Sequence, residues 1–290
     1  MGQAGGMRSG AFSDEVDAGS PKKMRPNQNA RCFGGTIMTD NDNQNRGHHG
    51  QPGTPPPDVR SFGRRRGRTP SDHQQSLLKE LLPRIAVDPA QIKPETTFKL
   101  SAQLGMASGR FAQTNPPVWL EIGFGGGEHL IWQARQNPGV VLIGSEPYQD
   151  GVLKVLNAVA DGGLDHVRLL ADDVRPFLRT LPPASLDRVF ILFPDPWPKR
   201  RHNKRRLIQP ALVSELARVM KPGSELRFAT DIGDYARTGL LVLYANGEFE
   251  WTAQSPSDWR ERPVDLPPTR YETKAGREGR RCYFFSLRRQ

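Results

Sequence analysis

Five short apolar runs punctuate the chain from Val118 onward: VWLEIG, VVLIGSE, HVRLLADD, LDRVFILF and ELRFATD. Each is rich in β-branched or aromatic residues, the pattern of a buried strand. Helix-length stretches separate the first four. Another, QPALVSELARVMKPG, precedes the fifth and is expected to stop at Pro222-Gly223, where proline and glycine end the helical pattern. Strands alternating with helices predict parallel pairing, right-handed crossovers and a doubly wound α/β sheet. Two later runs, FEWTAQ and RCYFFSL, have no full helix between them and would close the sheet as an antiparallel pair. Upstream, Ser71 to Gln74 (SDHQ) fits a capping box ahead of Leu77, Leu78, Leu81 and Leu82, predicting a first helix of about a dozen residues that ends at Pro83.

The first sixty residues are of another kind. They are rich in Gly, Asn, Gln and Pro, with almost no periodic apolar positions, and too little surface could be buried there to offset the entropy of ordering. Residues 1–58 are therefore expected to be a disordered tail. Residues 59–290 would form one domain, led by a basic arm, RSFGRRRGR (Arg60 to Arg68), and the first helix. Within the 290 residues, 36% hydrophobic content suffices for one sizeable core. No apolar run reaches the roughly 18 to 20 residues of a membrane span, and the start has no apolar signal-peptide region. Cys32 and Cys282 are the only cysteines, which suits a reducing cytoplasm better than a disulfide framework. His48 and His49 have no further ligands beside them, so no metal is expected. The formal net charge of +10 favours a polyanionic partner.

Candidate chemistry begins at LEIGFGGGEHL (Leu120 to Leu130). Gly123, Gly125 and Gly127 follow the first strand and lead into a helix, where glycine lets the backbone turn sharply and approach a ligand. Glu146 ends the next strand, a place from which an acid commonly accepts hydrogen bonds from ribose hydroxyls. The loop departs from a dinucleotide fingerprint, because Glu128 occupies the position of its last glycine. Glu121, two residues before the first glycine, would repel a pyrophosphate but suit a ligand carrying ammonium and sulfonium centres. The acid-x-Gly-x-Gly-x-Gly pattern resembles that of S-adenosylmethionine-dependent methyltransferases. The resemblance implies a Rossmann-like sheet of that type, with Asp172-Asp173 at the end of the third strand near the adenine; spacing favours Asp173.

The fourth strand runs into FPDPWPKRRHNKRR (Phe193 to Arg206), a stiff acidic-aromatic corner followed by a segment in which six of eight residues are Lys or Arg. Ligands of open α/β sheets bind outside the carboxyl ends of the strands, so this corner should project beside the glycine loop. It resembles the acid-or-amide, Pro-Pro, aromatic corner of amino- and base-methylating enzymes, which leaves exocyclic-amino methylation of a nucleic acid as an alternative. Together with ATDIGDYA and TRYETKAGREGR, the block is similar to the bacterial tRNA (guanine-N7)-methyltransferase family, over roughly Arg60 to Leu287. That resemblance implies methylation of guanine 46 in the tRNA variable loop. It implies that Glu121, Glu146, Asp173 and Asp195 contact the cofactor, with Asp195 also catalytic. Lys199, Asp231, Thr269, Arg270, Tyr271 and Glu272 correspond to substrate-contacting positions, and Arg201, His202, Asn203, Lys204, Arg205 and Arg206 to an RNA-interacting run. The family's usual Thr-Lys-Phe-Glu reads Thr269-Arg270-Tyr271-Glu272 here.

Overall fold

The structure, a computed structural model, describes residues 65, 67–93, 100–106, 111 and 115–290. The expected tail and most of the basic arm lie outside the described residues.

Among the described residues seven strands form a single sheet: β1 (Val118–Ile122), β2 (Val141–Ser145), β3 (Val167–Leu170), β4 (Leu186–Leu192), β5 (Met220–Thr230), β6 (Phe249–Trp251) and β7 (Tyr283–Arg289). Their spatial order is β3-β2-β1-β4-β5-β7-β6. The first five strands pair in parallel, whereas β7 lies antiparallel between β5 and β6. The two terminal apolar runs thus do pair antiparallel, with the later one in the inner place. Between β1 and β4 the chain changes its direction of progress across the sheet, which opens a crevice at their carboxyl ends.

Helices flank both faces. The short α1 (Asp72–Ser76), α2 (Leu82–Ile85) and α3 (Leu100–Gln103) come first, then α4 (Glu128–Gln136), α5 (Gln149–Gly162), α6 (Val174–Thr180), α7 (Pro210–Val219) and α8 (Gly233–Ala245). Two more, α9 (Ser257–Arg260) and α10 (Arg270–Arg277), lie between β6 and β7. Strand alternation sends Leu120, Ile122 and Val189 to one face, where Phe177 of α6, Leu216 of α7 and Tyr235 of α8 cover them. Leu142 and Leu169 point the other way, against Leu130 of α4 and Leu156 of α5. The result is the expected doubly wound α/β architecture, buried on both faces as parallel sheets require.

Three local readings change. The capping box at Ser71 forms, but the helical path continues past Pro83 to Ile85. A π turn at Leu77–Leu81 intervenes, which accommodates a residue that has no N–H and whose ring crowds the carbonyl four residues back. Helix α7 stops at Val219, not at Pro222-Gly223. Val219 and Met220 are buried, the Val219 carbonyl accepts from Ser185 N at 2.7 Å, and Met220 already pairs with Leu186. The register then shifts between Leu186 and Arg188, so that Pro222-Gly223 falls in an irregularity of β5. Finally, TRYETKAGR does form a helix, α10, capped by Thr269. It buries only Ala275, so it carries no apolar periodicity that could announce it.

Candidate active site

The glycine loop turns off β1 at the crevice. Gly123 N donates to Ser145 O at 2.8 Å, extending the β1–β2 pairing by one step before the turn. Gly123, Gly125 and Gly127 have φ of 74°, 54° and 78°. At Gly125 two demands coincide: a left-handed backbone, and a Tyr271 hydroxyl that would lie 2.7 Å from any added Cβ. Gly151, which the sequence pattern did not single out, is as constrained. A Cβ there would meet the Gly125 carbonyl oxygen at 2.1 Å, so α5 approaches the loop only because its first turn has no side chain at that point.

Glu146 fastens this turn. Its Oε2 accepts from Gly125 N at 2.8 Å and its Oε1 from Tyr148 N at 2.9 Å. Burial still pushes its carboxyl above the ordinary value against those hydrogen bonds, and the charges of Asp195 and Glu121 push the same way. Glu121 is buried below the loop, where Oε2 meets His129 Nδ1 at 2.7 Å. The other side of that imidazole meets Gln133, whose amide donates to the Asp265 carbonyl at 2.9 Å.

The paired aspartates divide. Asp172 is exposed and ion-paired with Arg65 of the basic arm at 2.9 Å. Asp173 lines the cleft, caps α6 through Arg175 N and holds the Arg175 side chain. Burial raises its carboxyl, but the Arg175 hydrogen bonds and charge more than offset that and leave it below the ordinary value.

Across the crevice, β4 delivers the corner. Phe193 and Trp197 both take left-handed φ, 52° and 43°, a costly conformation for aromatic residues that persists only where the surroundings impose it. Asp195 stands between them at the mouth of the cleft, exposed on its outer side. The protein around its inner side desolvates the carboxyl and raises it above the ordinary value. Glu146, Asp173, Asp195, Trp197 and Arg205 all line one cleft of about 430 Å³ with Gly123 and Gly125. Tyr271 closes another side and stacks on Phe193 at 6.2 Å between centroids, 15° apart. Burial raises its hydroxyl too. Arg270, beside it, pairs with Glu128 at the start of α4. These contacts lean α10 over the glycine loop. Thr269 holds its own helix end, and Glu272 Oε1 accepts from Arg262 at 3.1 Å. Lys199 is exposed and Asp231 is bound to Arg280 at 2.9 Å; neither lines the cleft.

The basic run does not present one uniform face. Arg200–Arg205 form a short 3-10 helix with Arg201 and Lys204 exposed and His202, Asn203 and Arg205 half-buried. The Arg205 guanidinium lies 5.0 Å from the centre of the Trp197 ring. Desolvation and the neighbouring Arg205, Arg201, Lys199 and Lys204 hold the His202 imidazole below its ordinary value. Arg206 departs from the expectation of an RNA-facing residue: it is buried, and its guanidinium is engaged inside the protein.

Among the described residues no group of three His, Cys, Asp or Glu could hold a metal, and no helix is long and apolar enough to cross a membrane. A glycine turn and an acidic corner facing one another at the switch point of such a sheet are the arrangement expected of a methyltransferase. A family model, "Putative methyltransferase", matches residues 115–285. The tRNA (guanine-N(7)-)-methyltransferase of Rhodospirillum rubrum is 44% identical over 239 residues, which are 82% of this chain and 91% of that one. That of Hyphomonas neptunium is 47% identical over 216 residues, 74% of this chain and 93% of its own. Among solved structures, the 16S rRNA methyltransferase KamB aligns with a TM-score of 0.45 at 18% identity, covering 68% of this chain and 99% of that one. The chain belongs to the bacterial tRNA (guanine-N7)-methyltransferase family.

Proposed function

We propose that this protein transfers a methyl group from S-adenosylmethionine to N7 of guanine 46 in the variable loop of tRNA, in the cytoplasm. The observation that carries the reading is the convergence of Glu146, Asp173 and Asp195 on one cleft beside the glycine turn, with Arg201 and Lys204 exposed just beyond it.

The donor set fits a cationic cofactor. Glu121, Glu146 and Asp195 lie close enough for the first and last to raise the second, so an ammonium or sulfonium relieves a repulsion already present. Both Glu146 oxygens keep lone pairs beyond their backbone hydrogen bonds and can take ribose hydroxyls. Asp173 suits the adenine end. Bound S-adenosylmethionine supplies an electrophilic methyl on sulfonium sulfur.

The protein's part is to orient and to stabilise charge. Guanine N7 carries an in-plane lone pair and is unprotonated at neutral pH, so no general base is needed. The methylated purine is cationic. Asp195, held at the cleft mouth, would hold the N–H edge of the base and favour that developing positive charge. Trp197 and Tyr271 offer aromatic faces, and Lys199 with Thr269, Arg270 and Glu272 would complete the acceptor side. Exposed Arg201 and Lys204 would track phosphates, which position the base without reading sequence. Methyl transfer from labelled S-adenosylmethionine to unmodified tRNA, followed by nucleoside analysis, tests the reading. Label in 7-methylguanosine supports it; label in N6-methyladenosine or another amino-methylated base refutes it.

A further inference from the structure

The six Lys and Arg residues between Lys199 and Arg206 look alike in sequence, yet the last of them turns inward. Its side chain is 3% exposed, and each part of the guanidinium has a separate partner. Arg206 Nε donates to the Pro196 carbonyl at 2.9 Å, Nη1 to Thr238 Oγ1 at 2.8 Å, and Nη2 to Asp234 Oδ2 at 2.6 Å. Its face lies 4.8 Å from the centre of the Tyr235 ring. Two residues on, Ile208 N donates to the Tyr235 hydroxyl at 3.1 Å. Three α8 residues therefore grip the strap that leaves the corner.

Pro196 is the peptide between Asp195 and Trp197. Proline has no N–H, so its carbonyl is the one backbone hydrogen-bonding group this residue offers. The corner is also costly to hold, with Phe193 and Trp197 in left-handed backbone on either side of Asp195. Resting on the methyl-transfer reading above, we infer that Arg206 is a positioning residue: it anchors the Pro196 carbonyl to α8 and so fixes Asp195 and Trp197 relative to the glycine loop. The GDYA segment of α8, Gly233 to Ala236, gains a role by the same contacts, since Asp234 and Tyr235 grip the strap directly. The basic run then serves two purposes. Its exposed residues face phosphates, and its last residue locks the corner.

A lysine substitution separates the two roles. Lys is a competent point-charge partner for phosphate, but it has no planar fork with which to serve three divergent acceptors. R206K should lower single-turnover methylation by roughly tenfold to a hundredfold, the scale of a misplacement of about an ångström. Cofactor affinity by calorimetry should fall by less than the turnover does, because the glycine loop and both backbone hydrogen bonds of Glu146 are untouched while Asp195 alone is displaced. The slope of log tRNA affinity against log salt should not change. D234N, which leaves Arg206 in place but weakens its α8 partner, should lower turnover in the same direction, and the R206K/D234N pair should be no worse than R206K alone. Wild-type turnover that R206K retains would overturn the inference. So would a turnover loss in R206K that matches its loss of folded protein in a thermal melt. Absence of methylation by the wild-type protein run in parallel would instead refute the underlying function.

Discussion

Asp195, exposed but partly desolvated, and Glu146, buried, are both carboxylates raised above the ordinary value, but the fold treats them differently. Glu146 has each oxygen on a backbone amide, whereas the Asp195 shift has desolvation as its cause. Asp195→Asn therefore removes a charge the folded protein accommodates poorly. It should raise the melting temperature of the ligand-free protein slightly while lowering single-turnover methylation by about a hundredfold, the scale of one lost preorganised group. Unchanged turnover in that variant would reduce Asp195 to a turn residue. Glu146→Ala should instead weaken cofactor binding by about 1.5 to 3 kcal/mol, as charge-assisted hydrogen bonds do, without a gain in stability, because Gly125 N and Tyr148 N lose their acceptor. The raised values also set a pH dependence. A cationic cofactor needs both groups ionised, so affinity should be full at neutral pH and fall with acidification from a pH above the ordinary carboxylate range. Calorimetry across that range checks the sign. At this scale much was legible: glycine spacing and strand ends gave Gly125, Glu146 and Asp173 their places. The inward turn of Arg206 was not, because composition reports charge and not the direction of a side chain.

Elements were legible where packing and periodicity agreed. The five parallel strands are apolar because both faces of the sheet are covered, and that requirement shows directly in the sequence. Boundaries and the helix over the site were not. The end of α7 depends on Met220 pairing with Leu186, a tertiary contact with no local signal. Helix α10 is mostly exposed, and Arg270–Glu128 and Tyr271–Phe193 fix where it leans. The short helix Arg200–Arg205 carries the prediction that belongs to this scale. Arg201 and Lys204 are exposed, so replacing both with Ala should weaken tRNA binding and make the slope of log affinity against log salt shallower by about 1.4 to 1.8 units. Cofactor affinity should be spared. An unchanged slope would place the RNA on another face.

Over the whole molecule, the sheet order brings together pieces that are far apart in sequence. Gly125, Glu146, Asp173, Asp195 and Tyr271 reach one cleft because the switch between β1 and β4 opens where their strands or helices end. The sequence of residues 1–58 offers no periodic apolar face to dock on that domain, so removing it should leave the melting temperature and methylation nearly unchanged. The central claim is that this cleft methylates one ring nitrogen of one nucleotide, and it is tested most directly with two unmodified transcripts of the same tRNA. One carries guanine at position 46 and the other adenine there, and both are incubated with the protein and labelled S-adenosylmethionine. The account predicts one labelled 7-methylguanosine in the first transcript, mapped to position 46, and none in the second. Equal labelling of the two transcripts, or label in any other nucleoside, would contradict it.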